Sequence, residues 1–369
     1  MSAAHKYWNN MYIYLKSKIC RDQLYLSHKK PDVIDKNDCI VLTSNAKKCN
    51  LNLSSLSEFY CKYYKIGLSN NLIYLNIKDL QNFLYIDAEI LTLHNLKHLL
   101  IGSIISILIP INISDEREDQ TYSTRFNFFR QKDKAVFACT SFLILDSKYR
   151  KKGYGMKLIQ ESLQILYDNG GRAAYFINNV SRCDNSIKLN LWYFPLNLEK
   201  LDNCNFPYPN NYKSKFIVKC CDNITQVDEN NCKEAFDFYI SLVQDKKFAF
   251  YPSFEYWVKW IHSFPTYFNE YGIFSFNTLS VWYPVNRVHL ITTTLILSVS
   301  KSNCELNMIK TILYTAKINN SDIINIYEVG NISDKLLVSL FFQQFNTSYM
   351  NFYNTSLTFT KEDVYVPLF

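Results

Sequence analysis

Glycine is scarce in this chain, with 8 in 369 residues, and so are proline (9) and methionine (5). Such a composition excludes collagen-like and low-complexity linker proteins, and it leaves few places where the backbone can enter left-handed space cheaply. No Cys-x-x-Cys pair occurs among the 11 cysteines, and the adjacent Cys220 and Cys221 are not at a zinc spacing, so no metal site is expected. The opening Met1-Ser-Ala-Ala-His-Lys-Tyr-Trp8 has no signal-peptide pattern, so reduced thiols and a cytoplasmic location are expected. Long hydrophobic runs are also missing. The most apolar stretch, Leu99 to Ile113, is about fifteen residues broken by Gly102, Ser103, Ser106 and Pro110, against about twenty for a membrane span. It reads as a buried strand pair, and no transmembrane segment is expected.

What is present is apolar and aromatic. Hydrophobic residues make up 48% of the chain, enough for one large core or two ordinary ones. Abundant Asn, Ile, Lys and Tyr suggest an AT-rich coding sequence, so any single Tyr among the 28 carries little weight. The net charge of +7 suits an anionic ligand, but the basic residues are dispersed and no nucleic-acid-binding motif occurs.

Periodicity places an edge strand over Ile40–Leu53, helices over Leu56–Lys65 and Ile77–Leu84, and two strands over Leu91–Ile113 that meet near Gly102. More strand follows over Phe126–Phe142, then a β-rich Ala173–Val180 and a helix-like Ser186–Phe194. The composition turns to Asn, Pro and Tyr near Cys204–Lys213, which sets a boundary between residues 1–205 and 206–369. Beyond it come helices over Lys233–Val243 and Phe254–Ile261, strands over Ile273–Trp282 and Val288–Val299, and a helix over Leu306–Ala316. A strand over Ile323–Val329, a helix over Lys335–Phe342 and a strand over Asn351–Phe359 complete it. The order helix, helix, strands, helix, strand occurs in both halves. Two similarly built α/β halves are expected, with a single irregular α+β domain as the alternative.

One stretch organises the rest. Thr140 to Glu161 reads as a strand (Ser141–Leu145), a turn rich in cations and glycine, and a helix with apolar residues at Met156, Leu158, Ile159, Leu163, Ile165 and Leu166. Two of the eight glycines, Gly153 and Gly155, fall inside that turn beside Arg150, Lys151 and Lys152. A helix start preceded by glycine presents free N–H groups at a positive dipole end, where a pyrophosphate is well held. An ordinary connection with a solvated basic tip is the alternative. Arg150-x-x-Gly153-x-Gly155 resembles the coenzyme A pyrophosphate turn of the GNAT-type acetyltransferase fold.

The segment Ser141-Phe-Leu-x-x-x-x-x-x-Arg150-x-Lys152 resembles the glycylpeptide N-tetradecanoyltransferases (N-myristoyltransferases), whose corresponding run is Asn-Phe-Leu-Cys-Val-His-Lys-Lys-Leu-Arg-Ser-Lys-Arg. Leu158-Ile159-x-Glu161, Gly170 and Leu191-Trp-Tyr-Phe-Pro-Leu-Asn197 fall on family counterparts. So do His5-Lys-Tyr-Trp8, Leu100-Ile-Gly-Ser103, Ile109-Pro-Ile-Asn112, Phe250-Tyr-Pro252 and Tyr256-x-x-x-Trp260. The resemblance implies two fused acyl-CoA N-acyltransferase (GNAT-like) halves with pseudo-twofold symmetry. It further implies myristoyl-CoA as the acyl donor, peptides or proteins with an N-terminal glycine as substrate, and a monomer needing no metal.

Site residues follow from the same resemblance. Backbone N–H groups from Arg150, Lys151, Lys152, Gly153, Tyr154, Gly155 and Met156 would hold the phosphates, with Ile144 and Leu145 beside them and Tyr7 and Trp8 over the thioester. The N–H groups of Phe142 and Leu143 would face the thioester oxygen, where one lost donor typically costs about 2.7–4 kcal/mol. The base would be the chain's own terminal carboxylate, on Phe369, at the end of the apolar Val364-Tyr-Val-Pro-Leu-Phe369. A free carboxylate near pKa ~3.5 and an amine near ~8 are about 6 kcal/mol apart in proton affinity, a gap that burial must narrow. Ser141, Ile177, Trp192 and Tyr193 are substrate-side candidates. Ile73, Leu75 and Ile77 stand where the family has a Phe-x-Phe-x-Tyr pattern.

Departures are equally definite. Ser141, Ile144 and Tyr193 stand where the family has Asn, Cys and His. The family's Phe-Gly-x-Gly-Asp-Gly loop falls on Phe341-Phe-Gln-Gln-Phe-Asn346, without the glycines or the Asp. An acetyltransferase of other range and an inactive relative with a binding role therefore stand beside the myristoyltransferase reading.

Overall fold

A computed structural model describes residues 38–43, 52–66, 71–113, 135–171, 173–182, 185–206, 208, 223–283, 286–355 and 357–369. The first half contains β1 (Cys39–Thr43), α1 (Leu53–Tyr63), β2 (Lys65–Ile66), β3 (Asn71–Tyr74), α2 (Ile77–Tyr85), β4 (Glu89–Asn95), β5 (Leu100–Ile113) and β6 (Ala135–Leu145). It continues through α3 (Tyr154–Asp168), β7 (Ala173–Asn178), β8 (Ile187–Pro195) and α4 (Leu198–Asn203). The second half contains β9 (Thr225–Gln226), α5 (Cys232–Val243), β10 (Phe248–Phe250), α6 (Phe254–Ser263), β11 (Thr266–Asn269), β12 (Gly272–Tyr283) and β13 (Val288–Ser300). After these come α7 (Glu305–Ile318), β14 (Ile323–Tyr327), α8 (Asp334–Ser339), β15 (Gln343–Tyr353) and the two-residue β16 (Val364–Tyr365).

The order α1, α2, β5–β6 hairpin, α3, parallel β7 is repeated as α5, α6, β12–β13 hairpin, α7, parallel β14. The main path of the mixed sheet is β1-β4-β5-β6-β7-β15-β8-β14-β13-β12-β11-β9. At its centre the halves trade strands: β15 pairs with β7, β8 pairs with β14, and β8 and β15 pair with each other. Each half's run of strands is thus completed by a strand of the other.

Side-chain alternation along the strands decides what packs where. Ile105, Phe137, Cys139 and Ile273 face a shared core with Phe59 and Tyr60 of α1, Phe83 of α2, Tyr239 of α5, and Trp257 and Trp260 of α6. Their neighbours Ile104, Ala138 and Phe274 face the opposite side, where α3 (Leu158, Leu163, Leu166) and α7 (Ile309, Ile312, Ala316) lie. Local chemistry sets the helix starts. Asn52, Asn76, Asn197, Ser253 and Ser333 accept backbone N–H groups at the N-termini of α1, α2, α4, α6 and α8. By contrast, α3 begins on Gly153, which has no side chain to offer.

Four expectations need correction. Ser186–Phe194 is strand β8, whose buried Ile187 and Leu189 flank an exposed Lys188 in a two-residue alternation rather than a helical one. Leu100–Ile113 is a single 14-residue strand, because its polar residues are buried among other strands instead of marking a turn. The chain reverses ahead of Gly102, at residues 96–99, and the partner strand is β4. Leu53 belongs to α1, started by the Asn52 cap, not to an edge strand. The last long strand is β15, which begins at Gln343 and ends at Tyr353. Residues 126–134 of the strand expected over Phe126–Phe142, and most of the boundary segment, lie outside the described residues.

Glycine is used where layers meet closely. A Cβ on Gly102 would lie 2.5 Å from Leu145 Cδ2 and 3.1 Å from Leu158 Cδ1, between β6 and α3. Gly272 occupies the matching place opposite the last residue of the second hairpin, where a Cβ would come within 2.3 Å of the Val299 carbonyl oxygen. Gly102→Val should destabilise the fold by about 1–3 kcal/mol through overpacking. Denaturant unfolding of the variant beside the wild type measures this; an unchanged midpoint would contradict the packing of α3 on β5 and β6.

Candidate active site

Strands β6 and β7 pair in parallel only where Phe137–Cys139 meet Ala173–Tyr175. Beyond Cys139, β6 continues to Leu145 beside β5, and β7 continues to Asn178 beside β15. The sheet forks there, toward the carboxyl ends of two parallel strands, the usual position for a ligand in such sheets. Just inside the fork β6 is irregular. Ser141 is opposite Ile105 and Ile144 opposite Ser103, so neither Phe142 nor Leu143 has a cross-strand partner. Phe142 takes φ 52°, rare for a side-chain-bearing residue. Its ring is buried against Tyr64 and Phe83, at centroid distances of 5.7 and 5.4 Å, while Leu143 is 41% exposed. A bulge of this kind re-aims peptide groups out of the ladder.

The end of the chain comes to the same place. Val364, Tyr365, Val366 and Leu368 are buried, and β16 pairs in parallel with β10. Tyr175 Oη donates to the Pro367 carbonyl at 2.8 Å, and the Leu368 N–H donates to the Ile296 carbonyl at 2.9 Å. Ser141 Oγ donates to a carboxyl-terminal oxygen of Phe369 at 3.4 Å. The Phe369 ring packs among Phe83, Trp260 and Phe264, at centroid distances of 5.9, 6.2 and 5.3 Å. Phe83 therefore touches both the bulge residue Phe142 and the terminal residue. Cys139, at the base of the fork, is fully buried. Burial pushes its thiol up to about 12, against hydrogen bonds from Tyr175 and the Phe369 backbone that pull the other way. It is a protonated, inert thiol at neutral pH.

After β6 the chain makes the cationic turn. Asp146 accepts from the Lys148 N–H (3.0 Å) and the Tyr63 hydroxyl (3.0 Å). Burial opposes ionisation of this carboxyl, but those donors and the Lys148 charge outweigh it and lower its pKa. Arg150 Nε donates back to the Leu145 carbonyl at 3.1 Å. Lys151 (φ 63°) and Gly153 (φ 87°) are both left-handed, two sharp bends within three residues, and such bends make backbone concavities that suit anions. Gly155 is held close, since a Cβ there would be 3.2 Å from Leu145 Cδ1. The Tyr154 ring is buried beneath the turn, and its hydroxyl donates to Asp38. Met156 is in the first turn of α3, and Lys152 Nζ is 5.7 Å from the Tyr149 ring centre. In the second half the equivalent turn precedes α7. It carries Glu305 at the first helical position, its carboxylate accepting the Asn303 N–H at 3.3 Å, and no glycine. A carboxylate at a helix start occupies the place an anion would take and repels one.

The remaining candidates are dispersed. Tyr7 and Trp8 lie outside the described residues. Ile144 is buried in the shared core. Leu75 is wholly buried, with its carbonyl accepting from Ser57, so its side chain packs the core instead of facing a ligand. Ile73 is half-buried, paired with Val281 of β12, and Ile77 is 43% exposed. Ile177 is half-buried on β7 opposite Met350. Trp192 and Tyr193 are on β8, which is three strands from β6 and so about 14 Å away laterally. Trp192 is buried in the α7-side core. Tyr193 packs against Phe206 and Phe345, and burial raises its hydroxyl pKa. Phe345 bulges from β15 between Gln344 and Asn346 and is 49% exposed, in the stretch that replaces the glycine-rich loop.

Sequence reasoning missed the hydroxyls that fasten this site. Tyr60 and Tyr175 donate to a strand and a tail carbonyl, those of Phe142 and Pro367 respectively. With tyrosine so abundant, no local signal separates these two from the rest.

No family model and no curated protein matches the sequence. Solved structures do match. The fold is that of Saccharomyces cerevisiae N-myristoyltransferase with bound myristoyl-CoA, at a TM-score of 0.78 and 12% identity over 97% of this chain and 94% of that one. A second structure of the yeast enzyme with myristoyl-CoA gives 0.76 at 12% identity over 99% and 92%. A third, with myristoyl-CoA and inhibitors, gives 0.75 at 12% over 99% and 94%. Among the described residues no group of three or more His, Cys, Asp or Glu could hold a metal ion, and no helix is long and apolar enough to cross a membrane.

Tyr175→Phe leaves the Pro367 carbonyl without its donor. It should cost about 1–3 kcal/mol, felt first at the tail. Hydrogen exchange should then quicken at Leu368 before it quickens in β5 or β13; uniform quickening would show that the tail is not separately fastened.

Proposed function

We propose that this chain is an N-acyltransferase that moves a myristoyl group from myristoyl-CoA to the N-terminal glycine amine of a peptide or protein, acting as a cytoplasmic monomer. The observation that carries the reading is the meeting of the Phe369 terminal carboxylate with the β6 bulge at Ser141, in the fork between β6 and β7. The swapped-strand fold shared with the yeast enzyme supports it.

In this reading residues 1–205 hold the acyl-CoA, and residues 206–369 supply most of the peptide groove and the terminal base. N–H groups from Lys151 to Met156 bind the diphosphate, helped by the cations of the turn and the start of α3, while the Arg150 N–H is already given to the Ser147 carbonyl at 3.3 Å. The N–H groups of Phe142 and Leu143 polarise the thioester carbonyl, and such donors act most strongly on charge that develops in the transition state. The glycine amine attacks the carbonyl carbon and loses a proton to the Phe369 carboxylate. The tetrahedral intermediate then collapses, with the C–N amide bond formed, the C–S bond broken and coenzyme A leaving as a thiolate to be protonated. In this reading transfer is direct from the thioester to the amine, and Cys139, at the base of the fork, is a buried core residue. Ser141, with its hydroxyl on the carboxylate, steadies the base.

A second reading, an inactive relative that binds without turnover, is favoured by Phe341–Asn346. There Phe345 stands exposed where the family resemblance has an acidic, glycine-rich loop. Mass spectrometry of a Gly-initiated peptide incubated with myristoyl-CoA or acetyl-CoA separates the cases. A +myristoyl product supports the proposal, an acetyl product redirects it, and no product from folded protein leaves the binding role. Two residues added after Phe369 should lower kcat by at least about 10²-fold, the lower range for general-base loss, with thermal stability nearly intact. Full activity in the extended chain would remove the terminal carboxylate from the mechanism.

A further inference from the structure

The strained residue of the bulge has one buried polar partner, which bears on how the site is aimed. Phe142 keeps its left-handed φ of 52°, a conformation that persists where surroundings over-determine it. Its carbonyl, turned out of the β5–β6 ladder, accepts from Tyr60 Oη at 3.0 Å. Tyr60 is wholly buried, so no water can substitute. Its hydroxyl also lies 3.2 Å from Ser103 Oγ on β5, and Ser103 donates its own proton to the Leu91 carbonyl at 2.8 Å. This chain of groups places the Phe142 oxygen toward the β5 side of β6. A trans peptide is planar, so its C=O and N–H point in opposite directions. The N–H on the other end of that same plane belongs to Leu143, and it points away from Tyr60.

We propose that Tyr60 is a positioning residue. By holding the Phe142 carbonyl it orients the Phe142–Leu143 peptide plane and so aims the Leu143 N–H at the thioester oxygen. The proposal rests on the acyltransferase reading and adds to it the part of the fold that sets the donor's direction. Burial raises the Tyr60 pKa far above neutrality, so the hydroxyl remains a donor throughout the working range.

Tyr60→Phe removes a single oxygen. The expected result is a fall in kcat of about tenfold or more, with KM for acyl-CoA changed by less than about twofold, since a misaimed donor is lost mainly to the transition state. Tyr256→Phe is the control. It removes another phenol hydroxyl, a part-buried one donating to the Leu108 carbonyl of β5, and should leave kcat within about twofold. A purely structural role would move both variants alike. Isotope-edited infrared difference spectra of bound myristoyl-CoA, labelled with 13C at the thioester carbonyl, supply the direct readout. The carbonyl stretch should lie below its solution value in the wild type and return toward it in Tyr60→Phe. Unchanged kcat and an unshifted band in Tyr60→Phe, or an equal loss in Tyr256→Phe, would overturn the proposal. If Tyr60→Phe does not fold, the wild type decides: the 15N-leucine amide resonance of Leu143 must move downfield on acyl-CoA binding, and a stationary one overturns it. A wild type with no bound carbonyl band at all overturns the acyltransferase reading itself, and is recognised by that absence.

Discussion

The tail Val364–Leu368, buried among strands of both halves, is the constraint around which this molecule is arranged. Each backbone group carried inward needs a partner, because an unpaired one costs as much as a lost hydrogen bond. The tail meets that requirement from both halves. Tyr175 of the first half serves the Pro367 carbonyl, and Ile296 of the second accepts from Leu368. Pro367 itself has no N–H to satisfy. Farther out, the buried carboxylate of Glu328 pairs with Lys361, and the Gly330 N–H donates to the Lys361 carbonyl at 2.8 Å. These residues thereby fasten strands of the two halves together beside the fork.

The repeated architecture is used asymmetrically. Both hairpins carry an irregularity near the parallel strand that follows: Phe142–Leu143 in β6, and Ile296 in β13. The second is occupied by the protein's own tail, through Leu368 and Ile296, whereas the first, beside the fork, has no cross-strand partner. The turns before α3 and α7 differ in the same sense. One has left-handed Lys151 and Gly153 and exposed cations, and the other has left-handed Asn303 and Glu305 at the helix start. Charge, not strand topology, distinguishes the two turns.

Aromatic packing ties the two features of the site together. Phe83 contacts Phe142 and Phe369, and Trp260 and Phe264 enclose the terminal ring from the second half. The bulge and Phe369 share this cluster, so their separation is set by close-packed rings that cannot shift independently.

The sequence by itself determined what depends on neighbours along the chain. Helical periods at α5, α6 and α7, the turn with Gly153 and Gly155, and the paired order of elements were legible from spacing and composition. The family resemblance added the terminal carboxylate as a candidate base. Only the tertiary structure decided the rest, because it depends on contacts between residues far apart in sequence. Ser186–Phe194 became a strand because β14 and β15 offer it partners on either side. Leu75 went into the core instead of a groove, and Trp192 and Tyr193 went three strands away from the fork. Tyr60, 82 positions from the carbonyl it holds, and Ser141, 228 positions from the terminus it meets, illustrate the reason. Period and propensity act over a few residues, while a hydrogen bond's partner is settled by how the layers fold over one another.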